Sequence, residues 1–141
     1  MSQVREIVDN RKLCWVEENE TVADVARRMV ELQVGAILVL HGGGLRGIFS
    51  ERDFMRRVVL ERLDPETTPV GSVMSTQLAT IDESDTVEDA MEAMQSHKCR
   101  HLPVMREGRV TAFLSMRDLI HHELAQKTEE LHHMRAYIQN S

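Results

Sequence analysis

Two polar motifs of one type, a serine followed three residues later by an aspartate, stand directly after apolar stretches of the chain. They are Ser50 with Asp53 and Ser115 with Asp118, which we call the first and the second junction. A serine at this spacing is typical of a helix N-cap, and a helix start carries unpaired N–H groups with a partial positive charge. Each junction therefore predicts a strand that runs into a helix without a loop, where an anion would bind well.

Two further boxes have the same spacing but begin with threonine, at Thr21 with Asp24 and at Thr86 with Asp89. They follow polar turns, so we interpret them as helix caps alone, each worth about 1 kcal/mol. The serine junctions instead place a hydroxyl, free N–H groups and a carboxylate at the carboxyl end of a strand. Ligand crevices of α/β structures lie at such strand ends.

The carboxylates of Asp53 and Asp118 have a second role open to them besides capping. A carboxylate accepts two hydrogen bonds and matches the adjacent 2′- and 3′-hydroxyls of a ribose. Arginine suits phosphate, because its planar fork fits the oxygens and its charge persists at physiological pH. The candidates to hold phosphate are Arg52, Arg100, His101 and Arg117. On local chemistry alone, a pure cap and a nucleotide site both stay open.

The chain aligns with itself at a shift of 65 residues, without a gap from Trp15 and Thr80 to Met55 and Ile120. Within each half, an extended piece precedes the threonine box and its amphipathic helix. An apolar strand, a turn, the strand to the junction and a second helix follow. The order is β-α-β-β-α, twice. Two copies predict an α/β (α+β) fold of two pseudo-symmetric halves that bury their apolar faces against each other.

The predicted boundaries are residues 8–62 for the first repeat, 63–70 for a linker, 71–122 for the second repeat and 123–141 for a helical tail. The linker carries two prolines and polar residues, which cannot continue the preceding helix. In the tail, apolar residues recur near a seven-residue spacing, at Leu124, Leu131, Met134 and Ile138. Docking of the tail on its own chain and pairing with a second subunit both stay open.

Composition excludes some classes of partner. The net charge of -6 argues against bulk attraction to nucleic acid or to an anionic membrane surface. The longest apolar run, residues 35–40, is far too short to span a bilayer, and the start of the sequence lacks the apolar core of a signal peptide. We therefore expect a cytoplasmic protein. Cys14 and Cys99 show no metal or redox spacing.

The motifs resemble the paired cystathionine-β-synthase (CBS) domains known as Bateman modules, in particular their short stand-alone bacterial-type members. The resemblance covers about residues 8–120, and it is specific because the elements occur in order and occur twice. The motifs that carry it are Thr21-Val and Thr86-Val, Gly35-Ala-Ile-Leu-Val and Arg100-His-Leu-Pro-Val, and Gly47-Ile-Phe-Ser-Glu-Arg-Asp53 and Ala112-Phe-Leu-Ser-Met-Arg-Asp118.

The resemblance implies a regulatory module that senses an adenine nucleotide and changes its partner interactions. In this family the aspartate holds the ribose, the serine lies near the phosphate and the central-strand backbone contacts adenine. Members bind AMP, ADP, ATP, NAD or S-adenosylmethionine, and AMP is our leading candidate. The predicted ligand-binding residues are Gly35, Ala36, Ile37, Ser50, Arg52, Asp53, Arg100, His101, Leu102, Pro103, Ser115, Arg117 and Asp118. Modules of this family commonly meet as homodimers, so we expect a homodimer here.

The two predicted sites depart from equivalence. Ala112 stands where the family has glycine at the second junction, and Gly35 with Ala36 stands where the second half has Arg100 with His101. We expect the second pocket to bind more tightly, because it has more groups to meet phosphate.

Other functions receive less support from the residues. The loop His41-Gly-Gly-Gly44 is similar to an esterase oxyanion loop, but no Gly-x-Ser-x-Gly motif supplies a nucleophile, so we interpret it as a β-turn. The histidine pairs His121 with His122 and His132 with His133 lie too far apart on one helix for a shared metal ion. We expect no catalysis and no metal. The alternative to a nucleotide sensor is a structural dimerisation module with vestigial pockets.

Overall fold

A computed structural model describes residues 2–140 of the chain. The elements in chain order are α1 (Val4–Val8), β1 (Trp15–Glu17), α2 (Val22–Leu32), β2 (Ala36–His41), β3 (Gly44–Ser50), α3 (Glu51–Asp53) with a π-helix (Phe54–Val59), a 3-10 turn (Val70–Ser72), β4 (Ile81–Asp82), α4 (Val87–His97), β5 (His101–Arg106), β6 (Arg109–Ser115) and α5 (Met116–Gln139). Among these described residues, no helix combines the length and the apolar character needed to cross a membrane.

Each repeat builds one three-stranded sheet, in the order β1-β2-β3 or β4-β5-β6. In both sheets the first pair of strands is parallel and the second is antiparallel. The register places Ala36 opposite Ser50 and His101 opposite Ser115. The predicted fold of two β-α-β-β-α repeats with a C-terminal helix is confirmed.

The hairpins that lead to the junctions turn over two residues. Gly42 and Gly43 have φ values of 57° and 82°, and Glu107 and Gly108 have values of 49° and 78°. Positive φ at both positions is the geometry of the tight turns that match the twist of antiparallel strands. The interpretation of residues 41–44 as a β-turn is therefore confirmed.

Both threonine boxes are helix caps. The Thr21 hydroxyl accepts the N–H of Asp24 at 3.3 Å, and the Thr86 hydroxyl accepts the N–H of Asp89 at 3.0 Å. The apolar stripe of α2 is narrower than its run of apolar residues suggests, because Val30 is 77% exposed.

The two repeats exchange short segments. Helix α1 buries Val4 and Val8 in the core of the second sheet. The 3-10 turn and the residues after it bury Val70 and Met74 in the core of the first sheet. These two segments are related by the 65-residue shift, so the exchange is reciprocal. A third cluster, centred on Leu38, Leu40 and Val110, lies between the sheets.

The second helices of the repeats differ. In the first repeat, a three-residue α-helical turn passes into the π-helix, whereas α5 runs for 24 residues in the second. Helix α5 crosses the predicted boundary after residue 122 without a break. Its apolar stripe adds nothing to the core, since Leu124, Leu131 and Met134 are 49% to 62% exposed. Ser141, the last residue of the predicted tail, lies outside the described residues.

Candidate functional site

The two junctions share one local geometry, in which the strand ends at a serine and the helix begins at the next residue. At the first junction, the Ser50 N–H donates to Asp53 Oδ2 at 3.0 Å and the Asp53 N–H donates to Ser50 Oγ at 3.2 Å. At the second junction, the equivalent bonds between Ser115 and Asp118 measure 2.8 and 3.1 Å. Both motifs are thus reciprocal capping boxes at the end of a strand.

The carboxylate of Asp53 is enclosed by the protein. Asp53 is 7% exposed and is the only buried charged residue among residues 2–140. Its Oδ1 atom accepts the Ser75 hydroxyl at 2.9 Å, and Arg57 Nε lies 3.8 Å away. The guanidinium of Arg57 also donates to the Met74 carbonyl at 2.7 Å. The first carboxylate is therefore satisfied by groups of the chain itself, as burial of a charge requires.

A close backbone contact holds Ser75 in place. The N–H and carbonyl groups of Ser75 and Ile48 exchange two hydrogen bonds, of 2.8 and 3.0 Å. This approach needs a glycine at position 47, because a Cβ there would lie 2.6 Å from Met74 Sδ and 2.7 Å from the Ser75 carbonyl oxygen. The glycine of the first junction thus serves the closure of the first site.

The carboxylate of Asp118 has a different partner. Arg11, from the segment between α1 and β1, places Nη1 2.9 Å from Asp118 Oδ2. The two side chains are 41% and 19% exposed. Burial alone would raise the pKa of Asp118, but hydrogen bonds from Arg11 and from Ser115 outweigh it, and the net pKa lies below its usual range. Asp118 is an ionised acceptor that is partly exposed to solvent.

His101 lies opposite Ser115 of the second junction in the sheet, and the charge of Glu51 at the first junction reaches it. Its ring stacks on Phe113, with centroids 5.1 Å apart. Burial lowers the pKa of His101, and the charge of Arg100 lowers it further. The charges of Asp118 and Glu51 raise this pKa, but burial outweighs them. Because Glu51 begins the helix of the first junction, the ends of the two central hairpins lie within electrostatic reach of each other.

Known proteins resemble this chain in sequence and in fold. The model of the CBS domain family matches residues 4–60 and again residues 70–125. The chain belongs to the CBS domain family. The CBS domain-containing protein YhcV of Bacillus subtilis is 30% identical over 128 residues, which are 91% of this chain and 90% of that protein. Longer relatives from Arabidopsis thaliana match as well, and the chain spans between 21% and 63% of their length.

Solved structures with CBS domains share the fold. A protein with CBS domains from Burkholderia ambifaria MC40-6 superposes with a TM-score of 0.83 at 31% identity, over 88% of this chain and 95% of that one. A CBS domain protein from Pyrobaculum aerophilum, solved in complex with AMP, superposes with a TM-score of 0.71 at 28% identity, over 82% and 88% of the two chains.

The CBS fold places the predicted ligand-binding residues in two groups. One group comprises Gly35, Ala36, Ile37, Ser50, Arg52 and Asp53, and the other comprises Arg100, His101, Leu102, Pro103, Ser115, Arg117 and Asp118. The Gly35 carbonyl accepts the N–H of Glu51, and the Arg100 carbonyl accepts the N–H of Met116. These bonds tie each central hairpin to the start of the following helix. The side chains of Arg52, Arg100 and Arg117 are exposed.

Sequence reasoning missed the three residues that distinguish the two carboxylates, which are Arg11, Arg57 and Ser75. It also missed Glu51, whose charge reaches His101. Arg11 and Ser75 lie in two short segments, residues 9–12 and 74–77, which come before the aligned parts of the two repeats. The 65-residue shift pairs these two segments with each other. Sequence identity in this stretch is absent. Only the exchange of α1 and the 3-10 turn brings these segments to the junctions.

The cavities of the module differ in charge. An open groove of about 500 Å³ between α1, α4 and α5 is lined mainly by Glu6, Glu88, Glu129 and Glu130, which would repel a phosphate. A second cavity of about 420 Å³ adjoins Arg57 and Ser75 but has no junction residue in its lining. Within residues 2–140, no group of three or more His, Cys, Asp or Glu side chains is placed to hold a metal ion.

Proposed function

We propose that this tandem CBS module is a non-catalytic regulatory module that binds an adenine nucleotide, with AMP as the leading candidate and ADP, ATP or NAD as alternatives. The observation that carries the proposal is the second junction. There an ionised, partly exposed carboxylate, Asp118, pairs with Arg11 at 2.9 Å, and His101, next to Arg100 in the chain, lies within electrostatic reach of it. A carboxylate suits ribose hydroxyls, and arginines suit phosphate.

The chemistry of Asp118 supports holding a ligand over catalysis. An aspartate whose pKa is lowered stays ionised at neutral pH, so it is a poor donor or acceptor of protons in that range. It remains a strong acceptor for hydroxyl groups. The AMP complex of the Pyrobaculum aerophilum relative supports the choice of ligand.

Calorimetric titration of the purified protein with AMP, ATP and NAD tests the proposal. We expect binding of at least one of them, and loss of that binding in Asp118→Ala. Asp89→Ala is the matched control, because Asp89 makes the same type of capping box at α4 without a strand that feeds it. Mass spectrometry of the heat-denatured protein reports any nucleotide that copurifies. Absence of binding by every nucleotide would contradict the proposal.

A structural dimerisation module is the second candidate, and one observation favours it. Apolar side chains are exposed along the π-helix, at the residue after it and along α5. They are Met55, Val59, Leu60, Ile120, Leu124, Leu131 and Met134. Covering this surface with a second copy would remove apolar area from water. We propose a homodimer in either case, and propose that nucleotide binding alters how it contacts a downstream protein.

A further inference from the structure

The segments before β1 and before β4 approach the junctions by equivalent routes but are held differently. We call residues 9–12 the N-terminal arm, which reaches the second junction, and residues 74–77 the linker arm, which reaches the first. The linker arm forms a β-bridge to β3 through Ser75 and Ile48. In the described part of the chain, the N-terminal arm forms no such bridge to β6. The backbone therefore ties the linker arm to β3. The backbone bonds from Asp9 to Arg5 and from Arg11 to Val8 tie the N-terminal arm only to α1, so the Arg11 side chain makes its contact with the junction.

A second anchor is also absent from the N-terminal arm. In the first repeat, Arg57 lies one turn after Asp53 and donates to the Met74 carbonyl of the linker arm at 2.7 Å. The 65-residue shift places His122 at the equivalent position, one turn after Asp118. The Nε2 atom of His122 is buried and has no hydrogen-bond partner. His122 Nε2 thus makes no contact equivalent to the Arg57 anchor in the described part of α5.

The missing bridge follows from a difference between the two hairpins, which have glycine at position 47 and alanine at position 112. Gly47 lets the linker arm approach β3 to a distance that a Cβ would block, since Met74 Sδ would lie 2.6 Å from it. Ala112 occupies the equivalent position of β6, and its methyl group packs in the core of the second sheet. The N-terminal arm cannot close on β6 as the linker arm closes on β3.

We propose that the Arg11–Asp118 ion pair is a latch that the nucleotide opens, so that ribose hydroxyls bind Asp118 while the Arg11 guanidinium turns to the phosphate. This inference rests on the proposed function and adds the residue that distinguishes a nucleotide from its nucleoside. Each charged group exchanges one partner for another, so opening leaves neither charge buried and unpaired. A partly exposed ion pair is weak enough to be displaced.

Opening of the latch moves the N-terminal arm but leaves α1 in place. Val4 and Val8 hold α1 in the core of the second sheet. Trp15, four residues after Arg11, is the only tryptophan of the chain and begins β1. Trp15 is thus the intrinsic fluorescence probe nearest to the arm in the sequence, and no label is needed.

Titrations of the full-length wild type and Arg11→Ala with AMP and with adenosine, followed by calorimetry and Trp15 fluorescence, test the latch. In Arg11→Ala, we expect AMP affinity to fall about tenfold or more, because a charge-assisted bond to phosphate is lost. Adenosine affinity should stay equal or rise, since no arginine competes for Asp118. Arg11→Lys should recover part of the AMP affinity, and Arg5→Ala, which removes an exposed charge from α1, should resemble the wild type.

Two results separate the latch from the function on which it rests. If the wild type binds AMP and Arg11→Ala leaves the ratio of AMP to adenosine affinity unchanged, the latch is wrong and the nucleotide site stands. If the wild type binds ATP or NAD but not AMP, the latch fails in the form proposed here and the nucleotide site stands. If it binds none of AMP, ATP, NAD and adenosine, both proposals fail. Because Arg11 is exposed and outside the core, thermal melts of the variant should match the wild type closely enough to exclude misfolding.

Discussion

Gly47 lies so close to Met74 that a single methyl group at position 47 would come within 2.6 Å of the Met74 sulfur. The Ser75 carbonyl would be 2.7 Å away, and it belongs to backbone that is already bridged to Ile48. The contact closes the first carboxylate site, and it depends on the absence of a side chain at one position.

Gly47→Ala should therefore destabilise the fold by about 1–3 kcal/mol, the range for inserting a methyl group into a packed site. Gly44→Ala is the matched control, because its nearest neighbour, the His41 carbonyl oxygen, would lie at an ordinary 3.5 Å. Urea denaturation of both variants measures the difference. Equal stabilities of the two variants would show that the linker arm yields without cost.

The stability of the module should fall as the pH drops below the ordinary pKa of histidine. The pKa of His101 is lowered in the folded protein, mainly by burial, so the unfolded chain takes up a proton before the folded chain does. The free energy of unfolding therefore falls as the pH drops through the window between the ordinary pKa and the lowered one. Asp118, whose pKa is also lowered, adds a second loss at more acidic pH.

Thermal melts of the wild type and His101→Gln between pH 8 and pH 5 isolate the histidine contribution. The groups that face His101 are Asp118, Glu51 and Arg100, and all three remain in the variant. The wild type should lose more stability than His101→Gln over this range. A difference between the two that does not vary with pH would contradict the assignment.

Local patterns in the sequence were sufficient to predict the β-α-β-β-α order within each repeat and both junctions, but not α1 or the 3-10 turn. Each junction consists of a seven-residue strand and a four-residue capping box. The hydrogen bonds of the capping box join residues that are three positions apart, so they are local in the sequence. The inequivalence of the sites was predicted from Ala112, Arg100 and His101, but its physical form was not. The closure of one site by backbone and the pairing of the other with Arg11 are contacts between distant parts of the chain.

Three features lacked a local signal. The exchange of α1 and the 3-10 turn depends on how these segments pack against the opposite sheet. Segments of five and three residues are too short for a hydrophobic pattern to predict that packing. The π-helix at Phe54–Val59 has the same apolar spacing as an α-helix of that length. The partner of Asp118 was missed because a single arginine between α1 and β1 has no pattern of its own.

The exposed stripe of α5 predicts an assembly of about 32 kDa, twice the chain mass of 16.2 kDa. Leu131→Glu should weaken the dimer, because a charge would be buried in place of an apolar group. Light scattering across a range of concentrations measures the mass. Ala125→Glu controls for the added charge, because Ala125 is exposed on the opposite side of the same helix. A wild-type mass of one chain at every concentration would exclude the dimer.

The last prediction separates the two carboxylates by opposite effects on stability and on affinity. Asp53→Ala should cost about 2–4 kcal/mol of stability, because it removes a cap and leaves the hydroxyl of Ser75 without its acceptor. Asp118→Ala should cost only about 1–2 kcal/mol, the value of a cap and a partly exposed ion pair.

Affinity should follow the reverse order. Asp118→Ala should bind AMP about tenfold or more weakly, since two hydrogen bonds to a charged acceptor are lost. Asp53→Ala should keep wild-type affinity, because its carboxylate is already occupied by Ser75 and by the first junction itself. Urea denaturation and calorimetry on the same preparations give both quantities. Loss of AMP affinity in Asp53→Ala with none in Asp118→Ala would place the ligand in the first repeat, and the linker arm would then have to open for it.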